Sequence, residues 1–269
     1  MLVIAVPLIV VLGFLALASR YRWAWAAPVV RPWDRAVPVI RAYVRCSPAT
    51  FTYLFILAVT TWVLRSSTIT VGRQLLFEHS TNLVRLKEDP VSVLITSAFW
   101  VTPRELWLWA GLFPLVLAPA ERWLGSIRAI IVFFVGHIGA TLVTAAIITF
   151  MIRHSWAPLR LRDVIDVGSS YGFWCVAALF TYRLPGRWRW VWAVTMLAGA
   201  VAFIAWRTSF SDYGHLIAMV IGLALYPVTR EASVQIHEAW PIWRPPALMV
   251  DLEVERIDTR RRLEQGNDA

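Results

Sequence analysis

The sequence predicts an all-α polytopic membrane protein, a helical bundle of six core helices with one further transmembrane helix at the N-terminus. The first observation is composition: 58% of the 269 residues are apolar and 16 are Trp, far more than soluble domains carry. The second is seven hydrophobic stretches, several close to the lower length limit for crossing a bilayer. They lie at 1–18, 49–65, 104–120, 127–151, 167–184, 188–206 and 212–228.

The third observation is the uneven distribution of Arg and Lys among the connections, which also orients the bundle. If the segment after the first stretch is cytoplasmic, the inner side carries 17 basic residues and the outer side 9. This is the bias that the positive-inside rule describes. We therefore expect a multi-pass protein of the cell membrane, with its N-terminus outside and its C-terminus in the cytoplasm.

The net charge of +9 is interpreted as a consequence of this topology and as contact with anionic lipid headgroups. A nucleic-acid partner is not expected, since no soluble domain carries a basic segment interleaved with aromatic residues. The apolar runs divide the chain into three parts. Residues 1–48 form an anchor helix and a basic cytoplasmic segment, 49–228 the six-helix membrane domain, and 229–269 a charged cytoplasmic tail with a flexible end.

Two further segments, the first hydrophobic stretch and the long external connection, are assigned from their sequence. The first stretch is interpreted as a retained anchor and not as a cleaved signal peptide, because it lacks a basic start and arginines follow it closely. The long external connection, 66–103, alternates apolar and polar residues and ends in an apolar run too short to span. An interfacial or re-entrant segment is therefore expected there.

Polar groups inside membrane spans are costly and mark candidate sites. Three residues meet this criterion: Ser170, His137 and His215. On the orientation above, Ser170 and His215 both lie at shallow depth on the outer side. A serine becomes nucleophilic when a base such as a neutral imidazole removes its proton, so the two residues are a candidate dyad. Trp174 follows Ser170 by four residues and is expected to pack on the imidazole.

The same two helices also carry small residues at the spacing that allows close helix packing. These residues are Gly168, Gly172, Gly214, Ala218 and Gly222. On residue patterns alone, helix packing is the favoured role for this face, and Ser170 then bonds a carbonyl one turn back. Asp166 and Asp212 precede the two helices and are expected to act as N-caps, or else to orient the histidine.

Several segments, taken in order, resemble the rhomboid intramembrane serine proteases. These are "LITSAFW" before the second core helix, "PAERWLGSIRAI" after it, "GSS" within "VGSSYG", and "GHLIAMVIGL" on the last helix. The resemblance covers roughly residues 49–228. It implies a rhomboid-like six-helix core with Ser170 as nucleophile and His215 as its base, acting without a cofactor on transmembrane protein substrates.

The chain departs from that family pattern at three places. Tyr171 stands where these proteases have Gly after the nucleophile, and Glu105 and Trp109 stand where they have the His and Asn that hold the oxyanion. The Trp-Arg pair of their external loop is absent from 66–103. His137 or Asn82 is a conceivable replacement donor. The departures leave a second reading open, a catalytically inactive rhomboid-like protein that binds or chaperones transmembrane partners.

Two other classes receive no support. The sequence contains no inverted repeat of the kind that transporters carry. It also lacks the H-E-x-x-H motif of metalloproteases, and we expect no metal.

Overall fold

A computed structural model describes residues 2–21, 23–207, 209–230 and 245–266, and this part of the chain is helical and contains no strand. The α-helices are α1 (Leu2–Arg20), α2 (Ala27–Arg45), α3 (Pro48–Ser66), α4 (Ile69–Glu78), α5 (Leu83–Glu88), α6 (Pro90–Thr96), α7 (Glu105–Leu112), α8 (Ala118–Leu124), α9 (Ser126–Arg153), α10 (Ser170–Leu179), α11 (Trp188–Arg207), α12 (Phe210–Ala224) and α13 (Ala247–Gly266).

Each predicted hydrophobic stretch coincides with a helix, and the all-α membrane bundle is confirmed. The third stretch is continuous from α7 to α8 through a π-helical segment, Phe113–Leu117. Among the described residues, three helices are long and apolar enough to cross a membrane: Pro48–Ser66, Ser126–Arg153 and Trp188–Trp206. The last stretch forms α12, which is shorter.

The chain divides into two compact units. One comprises residues 47–242, and the other combines residues 1–46 with 243–269. The C-terminal segment was expected to be flexible at its end, and residues 267–269 lie outside the part of the chain that the structure describes. The residues before them form α13, which packs on α2. Glu253 of α13 is buried between two guanidinium groups, with Arg45 Nε at 3.1 Å and Arg256 Nη1 at 2.9 Å from its Oε1. This ion pairing stabilises the helix against α2.

The core of the larger unit is formed by α9, α10 and α12, which contact one another directly. Every residue of α10 from Tyr171 to Leu179 except Trp174 is buried. The helices approach closely at glycines: a Cβ on Gly136 of α9 would lie 2.1 Å from Cys175 Cβ, and a Cβ on Gly222 of α12 would lie 2.1 Å from the Cys175 carbonyl oxygen. Any side chain at these positions would separate the helices.

A buried carboxylate fixes the start of α3. Pro48 is the first residue of this helix and has no N–H, and the next two N–H groups, of Ala49 and Thr50, donate to the Glu121 carboxylate at 2.8 and 2.7 Å. The hydroxyls of Thr50 and Ser126 donate to it as well, at 2.7 and 2.6 Å. Glu121, 2% exposed, therefore joins α3, α8 and α9.

The external connection 66–103 folds into three short helices, α4 to α6. The three helices are capped by the side chains of Thr68, Asn82 and Asp89, respectively, and each of these side chains accepts a hydrogen bond from a backbone N–H of its helix. The connection is held against the start of α10, because the Thr81 N–H donates to the Asp166 carbonyl at 2.9 Å and the Gly168 N–H donates to the Ser97 carbonyl at 3.0 Å. These contacts position the candidate site.

Candidate functional site

Ser170 is the first residue of α10, and the loop before it has an unusual backbone. Gly168 adopts φ +140°, a conformation that L-residues rarely adopt, and its N–H is held by Ser97. Gly168 therefore shapes the turn and does not belong to a helix-packing face, contrary to the prediction from sequence. Ser169 is fully buried at 0% exposure, whereas Ser170 is half-buried and is the more accessible of the two serines.

Asp166 organises the entrance to α10. Its carboxylate accepts hydrogen bonds from the hydroxyls of Tyr171 at 3.1 Å, Ser211 at 3.3 Å and Thr81 at 3.4 Å. The prediction that it is an N-cap is wrong, because the cap position is Ser169 and Asp166 bonds to groups on three different segments. Desolvation raises the pKa of the Asp166 carboxyl, and the hydrogen bonds from Tyr171, Ser211 and Thr81 oppose that shift.

His215 lies in the first turns of α12, next to α10. Its Nδ1 is 3.8 Å from Asp212 Oδ1, too long for a hydrogen bond but close enough for an electrostatic contact. Asp212 is inside the helix, whose cap residue is Ser209, so the N-cap prediction for Asp212 is wrong too. The position of Asp212 fits the alternative role of orienting the imidazole.

The imidazole of His215 contacts aromatic rings of α10. Trp174 lies at 6.2 Å between ring centroids, the neighbour that the sequence predicts, and Tyr171 meets the imidazole edge-on at 5.4 Å. In the part of the chain that the structure describes, no hydrogen bond joins the Ser170 hydroxyl to His215. The two members of the candidate dyad thus lie on adjacent helices without the contact that would activate the serine.

Tyr171 occupies the contact between α10 and the start of α12. Its ring packs on Gly214 so closely that a Cβ there would lie 2.4 Å from Cζ. Its hydroxyl is bonded to Asp166, and its ring also faces His137 at 6.3 Å between centroids. The sequence identified Tyr171 only as a departure from a family pattern. Its contacts with Asp166, His137, Gly214 and His215 follow from the fold.

The other small residues lie at close contacts between helices, as predicted, but Gly172 faces a different helix from the one expected. Ala218, fully buried, and Gly222 lie on α12, and Gly222 meets α10 at Cys175. Gly172 of α10 faces α9 instead, where a Cβ would lie 2.5 Å from the Phe133 ring. The close approach of α10 and α12 therefore depends on glycines of α12.

His137 is buried on α9. Its Nε2 is 3.0 Å from the Ser97 hydroxyl, and its Nδ1 has no hydrogen-bond partner. Ser97 was not singled out from the sequence, because it is 40 residues away on a different element. Asn82, the other suggested donor, is engaged elsewhere: its side chain caps α5 and donates to the Phe77 carbonyl at 3.3 Å.

The two positions on α7 that replace the oxyanion residues of the proteases differ in character. Glu105 is exposed, and its carboxylate accepts the Thr102 N–H at 2.9 Å. Trp109 is 6% exposed and packs between Phe113 and Phe173, with its indole N–H lacking a partner. Among the described residues, neither side chain forms a hydrogen bond, ion pair or ring contact with Ser170 or His215.

Comparison with known families agrees with the resemblance of the sequence motifs. A family model described as "Rhomboid-like protein" matches residues 42–235, which include α3 to α12 and both members of the Ser170/His215 pair. Comparisons with curated proteins and with solved structures found no match. With nearly three quarters of its length matched, the chain belongs to the rhomboid-like protein family.

Proposed function

We propose that this rhomboid-like protein binds transmembrane partners without cleaving them. The observation that carries the proposal is the environment of His215, whose imidazole contacts Tyr171 and Trp174 while the Ser170 hydroxyl stays without a base. A serine that is not hydrogen-bonded to a base is a weak nucleophile.

The missing oxyanion donors support the same conclusion. Losing one such donor costs about 2.7–4 kcal/mol of transition-state stabilisation. Glu105 is a carboxylate that accepts a backbone hydrogen bond, and a negative charge would repel an oxyanion. Trp109 retains one N–H group, but its indole packs between Phe113 and Phe173. Even a Ser170 activated by His215 would therefore lack the usual stabilisation of the tetrahedral intermediate.

A lateral groove provides a place for a partner. It has a volume of about 340 Å³, lies between α3 and α9, and is lined mainly by apolar side chains, among them Ile56, Phe99, Ile130, Phe133 and Phe134. Association of helices in a bilayer depends on packing, because lipid tails are as apolar as the side chains. A groove of this shape suits the side chains of a partner helix.

The experiment has two readouts on the full-length protein, photo-crosslinking in native membranes and labelling of the purified protein. The photo-reactive residue p-benzoylphenylalanine is introduced at Phe134, in the groove, and at Val143, which is 44% exposed and about 180° away on the same helix. Discrete adducts of intact protein partners are expected at Phe134 and not at Val143. In parallel, a fluorophosphonate probe should leave the purified protein unlabelled.

Equal adducts at both positions would contradict the binding half of the proposal. Labelling by the fluorophosphonate would contradict the other half, because the probe reacts only when a serine oxygen attacks phosphorus, fluoride leaves and a base takes the proton. Circular dichroism and gel filtration of the same sample ensure that a negative result comes from folded protein.

The second candidate function is intramembrane serine proteolysis. It is favoured by one observation, the packing of Trp174 against His215 one turn beyond Ser170, on two helices in direct contact. In this case labelling is lost in Ser170→Ala, falls steeply in His215→Ala and is retained in Ser169→Ala. The double variant is then no worse than either single one, since nucleophile and base act as a unit.

We propose that the protein lies in the membrane with its N-terminus outside, as the distribution of basic residues predicts. In a Cys46→Ser background, Ser155→Cys should react with an impermeant thiol reagent added outside, and Gly186→Cys should react only after permeabilisation. Both positions lie in connections, so labelling reports access and not folding. The opposite pattern of reactivity would invert the protein.

A further inference from the structure

One face of α2 is apolar and uncovered. Val29, Ile40 and Val44 are 59%, 53% and 37% exposed, and with the half-buried Trp33 they recur at the spacing of a single helix face. A contiguous exposed apolar stripe of this kind is typical of a surface that contacts a protein partner or a membrane.

The opposite side of α2 is already occupied within its own unit. Val30 packs in a cluster with Ala18 of α1 and Ala26 of the connection, and Ala42 is fully buried. Asp34 accepts a hydrogen bond from Ser19 of α1, and Glu253 of α13 pairs with Arg45. The apolar stripe therefore points away from the neighbours that α2 has in this unit.

Exposed arginines lie on the sides of α2 away from the apolar stripe. Arg31, Arg35 and Arg41 are exposed and form no hydrogen bond or ion pair with any residue that the structure describes. They lie about 100° to 180° around the helix from Ile40, so the apolar and basic surfaces are separate. A helix with a basic face and an apolar face that includes Trp has the pattern of segments lying in a membrane interface.

The connection to α1 favours a bilayer over a protein as the occupant. The described side chains of α1 include exposed apolar residues, Val10, Val11 and Leu17 among them, as expected of the membrane anchor. Between α1 and α2, Trp23 and Trp25 are exposed and stacked at 5.7 Å between centroids. Exposed Trp next to an apolar helix is typical of the headgroup level of a membrane.

We propose that α2 lies in the plane of an anionic bilayer surface, with Val29, Ile40 and Val44 in the boundary between headgroups and acyl chains and Arg35 and Arg41 contacting lipid phosphates. Arg35 and Arg41 lie about 140° and 100° around the helix from Ile40, in opposite directions, so their long side chains reach the headgroups from the two flanks. The proposal is independent of whether Ser170 is catalytic.

The test uses the full-length protein with Cys46→Ser, reconstituted in phosphatidylcholine vesicles with or without phosphatidylglycerol. An environment-sensitive nitrobenzoxadiazole dye is attached at Ile40→Cys or at Asp258→Cys, an exposed polar position of α13. Cys175 is fully buried and stays unlabelled. With phosphatidylglycerol, the dye at 40 should emit at shorter wavelength and be quenched by lipids carrying a shallow nitroxide, whereas the dye at 258 should be quenched by aqueous iodide.

The charge dependence gives the second arm. Omitting phosphatidylglycerol, or substituting Arg35→Ser and Arg41→Ser together, should reduce nitroxide quenching at 40 and increase iodide quenching. The proposal is overturned by equal iodide quenching at 40 and 258, or by nitroxide quenching that is unchanged in both charge tests. It is also overturned if the dye at 40 is protected from both quenchers and unlabelled Ile40→Cys forms disulfide-linked pairs, since a second copy then covers the face.

Discussion

Gly222→Ala should unfold the protein in detergent at a clearly lower temperature than the wild type. The new Cβ would lie 2.1 Å from the carbonyl oxygen of Cys175 and 3.0 Å from Ala178 Cβ. A backbone oxygen cannot rotate away as a side chain does, so α10 and α12 must separate. Overpacking costs about 1–3 kcal/mol, which corresponds to a fall of about 2–12 °C in melting temperature for a domain of this size.

Two matched glycines provide the controls. A Cβ on Gly139 meets only the flexible end of Ile221, at 3.0 Å, and a Cβ on Gly199 meets nothing within 4 Å. We expect Gly139→Ala to be intermediate and Gly199→Ala to be neutral or slightly stabilising, since Ala favours a helix more than Gly does. If Gly222→Ala melts together with Gly199→Ala, α10 and α12 do not meet at this point.

Glu121→Ala should have the other large effect. The substitution removes the acceptor of two backbone N–H groups at the start of α3 and of the hydroxyls of Thr50 and Ser126. Each buried donor left unsatisfied costs about 1–3 kcal/mol, so the two backbone groups together account for about 2–6 kcal/mol. The measurement is thermal unfolding in detergent together with the yield of protein in the membrane.

A graded series separates the loss of the acceptor from general damage. Glu121→Gln keeps the shape and one acceptor oxygen and should be less harmful than Glu121→Ala. Ser126→Ala removes a single hydrogen bond and should be milder still. Glu105→Ala, at an exposed glutamate near the start of α7, should be nearly neutral. Comparable losses in Glu121→Ala and Glu105→Ala would show that Glu121 does not hold α3.

The positions of the hydrophobic helices could be predicted because a bilayer imposes a strict length on an apolar run. The stretch predicted at 127–151 is the helix Ser126–Arg153, and that at 188–206 is Trp188–Arg207. The pairing of Trp174 with His215 was also predictable, because residues four apart share a helix face. The order of the motifs was sufficient to indicate the family.

The helix against which each helix face packs could not be predicted in this way. Tyr171 and Gly172 are adjacent in sequence but point at different helices, the first at Gly214 of α12 and the second at Phe133 of α9. Asp166 was predicted to be an N-cap because it precedes α10. The sequence does not reveal that the hydroxyls of Thr81 and Ser211, which are distant in sequence, donate to its carboxylate. The sequence also did not predict that the C-terminal segment forms a helix against α2, because Arg45 and its partner Glu253 are more than 200 residues apart.

The sequence by itself determined that this protein is an all-α, rhomboid-like membrane bundle, where its hydrophobic helices run, and which polar residues lie within them. Those properties depend on local hydrophobicity and on spacing along one helix. Only the tertiary structure decided that Tyr171 packs on His215, that Ser170 forms no hydrogen bond with His215 among the described residues, and that Glu121 joins three helices. These contacts depend on how far each pair of helices can approach and rotate, and that is set by the small residues of the neighbouring helix and not by the residues making the contact.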